Sequence, residues 1–222
     1  MQYRVLATDY DGTLASDGHV DKPTVAALRA FVATGRQLVL VTGRVLPELF
    51  GIFPEAVLFD RIVAENGALL YHPATREERP LAEAPPERLI RKLADDGVRP
   101  VSIGRVIVAT WEANENAVRQ AIRELGLDLQ TIKNKGAVMV LPANVDKATG
   151  LTAALEEMGL SAHQCASIGD AENDHALLGM CPMSAAVANA LPALKATAKW
   201  VATQDHGAGV REFIEHLLLI DP

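Results

Sequence analysis

The chain has 222 residues, of which 49% are hydrophobic and 22% are charged, and its formal net charge at pH 7 is −7. This length accommodates one large domain or a domain with a sizeable insertion, and the hydrophobic content excludes an intrinsically disordered chain. The negative charge argues against a nucleic-acid-binding surface, and no stretch is apolar over the length of a membrane span.

Two features indicate a cytoplasmic protein. Cys165 and Cys181 each lie inside an apolar stretch, which is typical of buried thiols in a reducing compartment rather than of a disulfide. The first residues show no basic leader followed by an apolar segment, which is the pattern of a secretory signal peptide. We therefore expect a cytoplasmic protein that binds neither a membrane nor nucleic acid.

A short apolar run, residues 3–7, predicts a buried first strand, and it leads into the hexapeptide DYDGTL at residues 9–14. Asp9 and Asp11 follow the end of this strand, where Gly12 allows a sharp turn of the backbone. Such a pair can hold a hard cation while one carboxylate attacks and the other transfers a proton. A solvated acidic turn is the alternative, whereas the spacing of an EF-hand calcium loop is not met.

The next helix and strand lead to a second polar strand end. A helix is predicted near residues 21–35, and the continuous apolar run at 37–41 predicts a strand that is covered on both faces. It ends in Thr42, Gly43 and Arg44, where a hydroxyl and a free backbone N–H are well placed to bind a phosphate. Taken alone, this tripeptide is equally typical of an ordinary helix cap.

The middle of the chain predicts a self-contained unit. Strands at residues 62–64 and 68–71 flank a turn at 65–67, and a linker with three prolines follows at 80–86. The elements then expected are a helix near 86–95, a strand near 101–110, a helix near 114–125, and strands at 127–132 and 137–141. This order predicts a small antiparallel sheet with two helices on one face.

The last third of the chain contains a helix-start lysine and an acidic segment. A helix is predicted to begin at Asp146, and Lys147 in its first turn opposes the helix dipole, as a phosphate-binding lysine would. A short apolar strand at residues 165–168 leads into the segment GDAEND at 169–174. Further strands near 183–186 and 200–201 follow, then a turn at 207–209 and a final helix near 210–217.

Asp9, Thr42 and Asp170 share one position, because each follows a short buried strand immediately or within one residue. These strands alternate with helices, and in an open parallel sheet their carboxyl ends lie along one edge, where ligands bind. We therefore predict an α/β fold in which these residues and Lys147 surround one crevice. Together they would supply a nucleophile, a proton carrier, metal ligands and phosphate-binding groups.

These motifs resemble, in the same order, those of the haloacid dehalogenase superfamily of phosphotransferases, and the resemblance covers the whole chain. Residues 9–13 are similar to the motif Asp-x-Asp-Gly-Thr, Thr42 to the second-strand Ser/Thr, Lys147 to the family lysine, and residues 169–174 to Gly-Asp-x-x-x-Asp. Ala148 is a departure, because many relatives have glycine after the lysine. The chain is most similar to the subgroup with a C2-type cap, which includes archaeal-type phosphoglycolate phosphatases and sugar-phosphate phosphatases.

The resemblance implies a Rossmann-like doubly wound parallel-sheet core, residues 1–82 and 147–222, with a small α+β cap inserted at residues 83–146. It also implies an Mg²⁺-dependent phosphatase that hydrolyses a small phosphorylated metabolite, phosphoglycolate or a sugar phosphate, through an aspartyl-phosphate intermediate. The cap would close over the site and select the substrate.

The same resemblance implies a role for each motif residue. Asp9 would attack phosphorus, while Asp11 would protonate the leaving oxygen and later deprotonate the attacking water. Mg²⁺ would be held by Asp9, the backbone carbonyl of Asp11 and Asp170. Asp174 would contact the metal-binding residues rather than the metal itself. The phosphate oxygens would be bound or oriented by Thr42, Gly43, Lys147 and Asn173.

The distribution of charge predicts where the substrate is recognised. Residues 83–146 contain nine Lys/Arg and nine Asp/Glu, whereas the rest of the chain has twelve and nineteen. An anionic metabolite is therefore repelled less by the cap than by the core. If they are not simply solvated surface charges, the candidate substrate-binding cations are Arg44, Arg105, Lys133 and Lys135.

Three alternatives stay open. A phosphomutase of the same superfamily would share these motifs, and a non-catalytic regulatory or interaction module could have the same fold. A receiver-type phosphoacceptor domain is disfavoured by the cap-like insertion.

Overall fold

The structure, a computed structural model, describes residues 2–134 and 136–222. Its strands are β1 Val5–Asp9, β2 Gln37–Val41, β3 Arg61–Ala64, β4 Leu69–His72, β5 Glu77–Pro80, β6 Ser102–Ile103, β7 Val108–Trp111, β8 Leu129–Asn134, β9 Ala137–Pro142, β10 Cys165–Gly169, β11 Met183–Ala186 and β12 Trp200–Val201. Its α-helices are α1 Lys22–Ala33, α2 Leu46–Ile52, α3 Glu87–Asp95, α4 Glu115–Glu124, α5 Lys147–Glu157, α6 His175–Met180, α7 Pro192–Thr197 and α8 His206–Ile220. None of the described helices combines the length and the apolar character that a membrane span requires.

The large sheet has the strand order β12-β11-β10-β1-β2-β3-β4-β5. It is parallel from β12 to β3 and antiparallel at β4 and β5. The chain first extends the sheet on one side of β1 and later returns to extend it on the other side. β1 therefore stands at the switch point of a doubly wound sheet, whose crossover helices lie on opposite faces. The predicted α/β fold class is confirmed.

Long apolar runs explain why the central strands are buried. β1, β2 and β10 are buried over nearly their whole lengths, and Leu28 of α1, Leu151 of α5 and Phe213 of α8 belong to the same core. A strand that is covered by helices on both faces loses the alternation of polar and apolar residues. These rigid strands hold the residues at their carboxyl ends in fixed positions.

The four-stranded unit, residues 87–142, consists of α3, α4 and a small sheet with the order β6-β7-β9-β8. Its strand pairs are all antiparallel. It has a core of its own, in which Leu93 of α3 and Val118 of α4 join Val138 and Val140 of β9. The unit thus has the antiparallel sheet and the two helices that the sequence predicts.

The structure differs from the sequence prediction at several places, which include the helices α6 and α7, for which no helix was predicted. Residues 101–110 form the two strands β6 and β7 rather than one strand, because residues 105–107 turn around the buried carboxylate of Glu65. β5 has no predicted counterpart, since it is an exposed, charge-rich strand without apolar alternation. Residues 207–209 lie in the first turn of α8 rather than before it.

Candidate active site

The carboxyl ends of three neighbouring strands bring Asp9, Thr42 and Asp170 together. Asp9 is the last residue of β1, Thr42 directly follows β2, and Asp170 directly follows β10. β1 pairs in parallel with both other strands, and all three residues are buried. Asp9 therefore lies at the centre of one sheet edge, with the other two residues on either side.

Lys147 is the first residue of α5 and extends into this edge. Its Nζ lies 2.6 Å from Oδ1 of Asp9 and 2.6 Å from Oδ1 of Asp174, and its exposed fraction is 1%. Burial disfavours the charged ammonium, but the carboxylates of Asp174 and Asp9 outweigh this effect and raise the pKa of Lys147. The ammonium therefore stays charged and links two acidic residues.

A close approach between α5 and the turn after β3 makes this contact possible. Gly67 in that turn has φ +104°, and a Cβ there would lie 1.8 Å from the backbone oxygen of Asp146, the residue that caps α5. A Cβ on Gly150 would lie 2.5 Å from Cα of Gly67. A side chain at either position would push the helix away and withdraw Lys147 from Asp9.

The acidic segment after β10 is folded around Asp174. Its Oδ2 accepts the backbone N–H groups of Asp170 at 2.9 Å and Ala171 at 3.0 Å, while its Oδ1 accepts Lys147. The hydroxyl of Thr13 donates to Oδ1 of Asp170 at 3.1 Å. Asp174 thus fixes both the lysine and the loop that carries Asp170.

Three buried carboxylates concentrate negative charge at the centre of the site. Asp9, Asp170 and Asp174 each offer an oxygen atom, and these atoms lie within 4.8 Å of one another. Burial, together with the charges of Asp174 and Asp170, raises the pKa of Asp9 well above its usual range, although Lys147 acts in the opposite direction. Oxygen donors in this arrangement fit a hard divalent cation such as Mg²⁺.

Asp11 lies at the rim of the site rather than in this buried group. Nε and Nη2 of Arg44 donate to its two carboxylate oxygens, each at 2.7 Å, and the guanidinium lies over the ring of Tyr10. These hydrogen bonds raise the pKa of Arg44. The backbone N–H of Arg44 also donates to Oγ1 of Thr42 at 3.1 Å. Arg44 therefore connects the ends of β1 and β2 and fixes the orientation of the Asp11 carboxylate.

Asn173 reaches the strand end at Gly43 through a second asparagine. Its Nδ2 donates to Oδ1 of Asn66 at 2.9 Å, and a Cβ on Gly43 would lie 3.3 Å from the same oxygen. Oδ1 of Asn173 is buried and has no hydrogen-bond partner among the described residues. Buried acceptors are rarely left unsatisfied in folded proteins, so a donor group of a ligand or of water is expected there.

A cavity of about 740 Å³ opens between the sheet edge and the four-stranded unit. Asp11, Gly43 and Arg44 line it on the side of the sheet edge, and Trp111 and Met139 line it on the side of the four-stranded unit. Of the predicted substrate-binding cations, Arg44 therefore borders the cavity.

The structure corrects the placement predicted for two other cations. Arg105 donates from Nε to Glu78 of β5 at 2.8 Å, and Lys133 lies 3.0 and 2.7 Å from carboxylate oxygens of Glu112 and Glu115. Neither residue belongs to the cavity lining. Lys133 pairs across the sheet with Val138, which packs against α3 and α4, so its side chain is on the helix-covered face. Lys135 lies outside the described residues.

Residues 6–104 and 101–214 match the model of the haloacid dehalogenase-like hydrolase family. The chain belongs to this family. The phosphoglycolate phosphatase of Methanothermobacter thermautotrophicus is 28% identical to this hydrolase over 97% of this chain and 99% of the relative. Phosphoglycolate phosphatase 2 of Saccharolobus solfataricus is 31% identical over 96% of this chain and 92% of the relative. These matches support a phosphatase activity.

Solved structures agree with the fold of this hydrolase. A protein of Thermoplasma acidophilum superposes with a TM-score of 0.84 at 17% identity, covering 99% of this chain and 100% of the other. A haloacid dehalogenase-like hydrolase from Bacteroides thetaiotaomicron gives a TM-score of 0.83 at 18% identity, with 97% and 100% covered. Both comparisons cover the four-stranded unit as well as the large sheet.

Asn66 and His206 support the hydrolase site but were not among the predicted site residues. Asn66 is buried at φ +54°, yet the Asn-Gly pair at 66–67 predicts only a turn. Asn189 Nδ2 and His206 Nδ1 both donate to the backbone oxygen of Gly12, at 2.8 and 2.9 Å. These contacts hold the turn that follows Asp11, and they join segments that are far apart in the chain.

Glu65 ties the four-stranded unit to the large sheet. Its buried carboxylate accepts the backbone N–H of Arg105 at 2.8 Å, of Val106 at 2.7 Å and of Ile107 at 2.9 Å. Hydrogen bonds to a carboxylate are stronger than those between neutral groups. The unit is therefore held against the sheet edge by these bonds in addition to its two chain connections.

Proposed function

We propose that this hydrolase is an Mg²⁺-dependent phosphatase that cleaves a small phosphate monoester through a phosphoryl group carried on Asp9. The observation that supports it is the position of the Asp9 carboxylate, within 4.8 Å of two other carboxylate oxygens and 2.6 Å from the buried ammonium of Lys147. A carboxylate can approach a phosphate dianion only where cations offset their repulsion. Among the described residues, Lys147 supplies a buried cation here, and the carboxylates supply possible ligands for a metal cation.

Asp9 is the proposed nucleophile. Its carboxylate oxygen attacks phosphorus opposite the leaving alcohol, and the P–O bond to the alcohol breaks as the acyl phosphate forms. Water then attacks the same phosphorus atom, which releases phosphate and regenerates the Asp9 carboxylate. One difficult displacement is thereby divided into two easier ones.

Asp11 is the proposed acid and base. It lies two residues after Asp9 and borders the cavity, so its carboxyl group can protonate the leaving oxygen and later accept a proton from the attacking water. Arg44 holds both of its oxygens at 2.7 Å and thereby limits its rotation. A carboxyl group that is held in place transfers its proton with less reorganisation.

Mg²⁺ would be held by the Asp9 and Asp170 carboxylates and the backbone carbonyl of Asp11. When bound, the cation would neutralise the repulsion between the Asp9 carboxylate and the phosphate. Asp174 is assigned a supporting role, because its two oxygens already bind Lys147 and the backbone of the loop after β10.

The proposed phosphate-binding groups are those around the end of β2 and the start of α5. The hydroxyl of Thr42 accepts the N–H of Arg44, so it can donate its own proton to a phosphate oxygen. Lys147 supplies a positive charge, and its burial strengthens the attraction between this charge and a phosphate oxygen. The backbone N–H of Gly43 and the side chain of Asn173 complete the set.

We further propose that residues 83–146, which contain the four-stranded unit, form a C2-type cap. This unit borders the cavity opposite the sheet edge, where it can exclude water and select the substrate. Curated relatives of similar length are phosphoglycolate phosphatases, which supports a small phosphorylated metabolite as the substrate class. The enzyme would meet such a metabolite in the cytoplasm.

Hydrolysis of p-nitrophenyl phosphate tests this proposal. We expect turnover in the presence of Mg²⁺, its loss in excess EDTA, and its return when Mg²⁺ is added back. Unchanged activity in EDTA would contradict the metal requirement, and no turnover with Mg²⁺ would contradict the phosphatase. Release of inorganic phosphate from a hexose phosphate, rather than an isomerised ester, would separate hydrolysis from the phosphomutase alternative.

A further inference from the structure

One face of the small sheet forms the wall of the cavity that is opposite the sheet edge. Ala109 of β7 pairs with Met139 of β9, Trp111 pairs with Ala137, and Ser102 of β6 pairs with Ala109. Paired residues of an antiparallel sheet project to the same side, as do residues two apart in one strand. All five line the cavity. These five residues, called the apolar wall below, include no charged side chain.

The apolar wall begins next to the phosphate-binding groups and extends away from them. Cε of Met139 lies 3.1 Å from the position that a Cβ on Gly43 would take. Trp111, at the end of β7, has an exposed fraction of 59%. An indole ring that borders a cavity with so much surface exposed offers a flat apolar contact to a ligand.

The charged groups on the opposite side of the cavity are mostly acidic. Asp11, Asp17 and Glu48 line it there, and the guanidinium of Arg44 is engaged by both oxygens of Asp11. His206 also borders the cavity, and its Nδ1 donates a hydrogen bond to the backbone oxygen of Gly12. Among the described lining residues, a carboxylate on the substrate's alcohol would therefore face an uncharged wall on one side, and on the other side Asp17, Glu48 and the Arg44–Asp11 ion pair, which disfavours its binding.

We propose that the substrate is the phosphate monoester of an uncharged alcohol with a ring-sized apolar face, which packs on Trp111 and Met139 while the phosphate reaches Asp9. This inference rests on the proposed phosphatase function and narrows its substrate class. The cavity volume of about 740 Å³ accommodates such an alcohol, because small-molecule sites commonly have roughly 300–1,000 Å³. The proposed substrate class distinguishes this hydrolase from a phosphatase that selects a carboxylate-bearing ester.

Three esters of primary alcohols isolate the two parts of the proposal. Phosphoglycolate and ethyl phosphate have alcohols of similar size, and only the former has a carboxylate. The alcohol portions of ethyl phosphate and benzyl phosphate are both uncharged, and only that of benzyl phosphate contains a ring. With Mg²⁺ present, we expect kcat/KM to rise from phosphoglycolate to ethyl phosphate and again to benzyl phosphate.

Two variants locate the contact. Trp111→Ala should lower kcat/KM for benzyl phosphate about tenfold, the effect of one aromatic contact, and leave ethyl phosphate unchanged. Trp111→Phe should retain most of the preference for the ring. Ile103→Ala is the matched control, because Ile103 is an exposed apolar residue of the same sheet that does not line the cavity.

The outcomes separate this inference from the function on which it rests. Highest kcat/KM for phosphoglycolate, or equal effects of Trp111→Ala and Ile103→Ala on benzyl phosphate, would overturn the inference and leave the phosphatase intact. If the enzyme with Mg²⁺ hydrolysed neither p-nitrophenyl phosphate nor any of the three esters, both the inference and the proposed phosphatase function would be overturned.

Discussion

The two sides of the candidate active site have opposite chemistry. At the sheet edge, Lys147 lies 2.6 Å from both Asp9 and Asp174, and all three residues are buried. On the four-stranded unit, the apolar wall presents Trp111 and Met139 without any comparable charged contact. We call the buried residues at the sheet edge, Asp9, Thr42, Lys147, Asp170 and Asp174, the charged wall. Its charged residues are interdependent, because each buried charge needs its partners to remain charged. The apolar wall depends on shape, so its residues can be replaced one at a time.

From this difference we assign the chemical steps to the charged wall and the selection of the substrate to the apolar wall. Groups that stabilise charge must be held in place before the substrate arrives, and buried hydrogen bonds between charged residues achieve this. A wall that selects by packing requires only a matching surface. Substitutions at the sheet edge should therefore affect every substrate, and those on the apolar wall should affect only substrates that reach it.

The largest expected effect comes from Asp9→Asn. Loss of a covalent nucleophile costs on the order of 10⁶-fold in kcat in a well-studied hydrolase, and we expect a loss of that size for every ester. The protein should stay folded, because asparagine has nearly the same shape as aspartate and Lys147 keeps the Asp174 carboxylate as a partner. Kinetics and thermal unfolding check both points. A variant that keeps more than a small fraction of kcat would break the assignment.

Lys147→Met should cause the largest loss of stability. It leaves two buried carboxylates without their shared cation, and removal of one partner of a buried ion pair costs about 3–5 kcal/mol. Lys133→Met is the matched control, because Lys133 also bridges two carboxylates, those of Glu112 and Glu115, but on the surface. Urea unfolding in EDTA should show a large loss for the first variant and almost none for the second. Equal losses would mean that the sheet-edge charges are not interdependent.

Gly67→Ala should damage both stability and turnover. The new Cβ would meet the backbone oxygen of Asp146 at 1.8 Å and shift the start of α5, and a shift of about 1 Å in a catalytic group can cost about 10²-fold in kcat. Gly35→Ala isolates backbone strain, because Gly35 has φ +85° and no described atom within 4 Å of its Cβ position. That control should lose about 1–2 kcal/mol of stability and no kcat. Similar kcat in the two variants would contradict the role of the close approach.

Glu65→Gln should have the smallest effect on turnover, because it loosens the four-stranded unit without touching the charged wall. The amide NH₂ cannot accept the N–H groups that the carboxylate now binds, at a cost of about 1.5–3 kcal/mol. Hydrogen exchange at Val106 and Ile107 should become faster. Glu78→Gln, which removes only the surface pair with Arg105, serves as the control and should leave exchange unchanged. Unchanged protection in Glu65→Gln would show that chain connections alone hold the unit.

The charged wall could be predicted from the sequence because its residues follow apolar runs. Asp9, Thr42 and Asp170 come directly after buried strands, and the parallel strands of one sheet end at the same edge. Topology alone thus brings them together, whatever the details of packing. Lys147 could be predicted for a different reason, because a lysine in the first turn of a helix opposes the helix dipole, as a phosphate-binding lysine would.

The apolar wall could not be predicted, because it depends on strand register. Trp111 and Met139 become neighbours of the cavity only through the pairing of β7 with β9, and the sequence does not reveal which face of that sheet the helices cover. The same uncertainty explains Lys133, which lies on the helix-covered face instead of in the cleft. Glu65 was missed because its partners, residues 105–107, are distant in the chain.

Trapping of the acyl phosphate tests the central claim most directly, namely that Asp9 carries the phosphoryl group. Asp11→Asn, mixed with Mg²⁺ and p-nitrophenyl phosphate, should form the intermediate faster than it releases it, because a good leaving group needs no proton but the attacking water needs a base. Acid quenching, borohydride reduction and tandem mass spectrometry then locate the reduced acyl group. The account predicts reduction at Asp9, in an amount equal to the burst of p-nitrophenol. A burst with Asp9 unreduced, or reduction at another carboxylate such as Asp170, would contradict it.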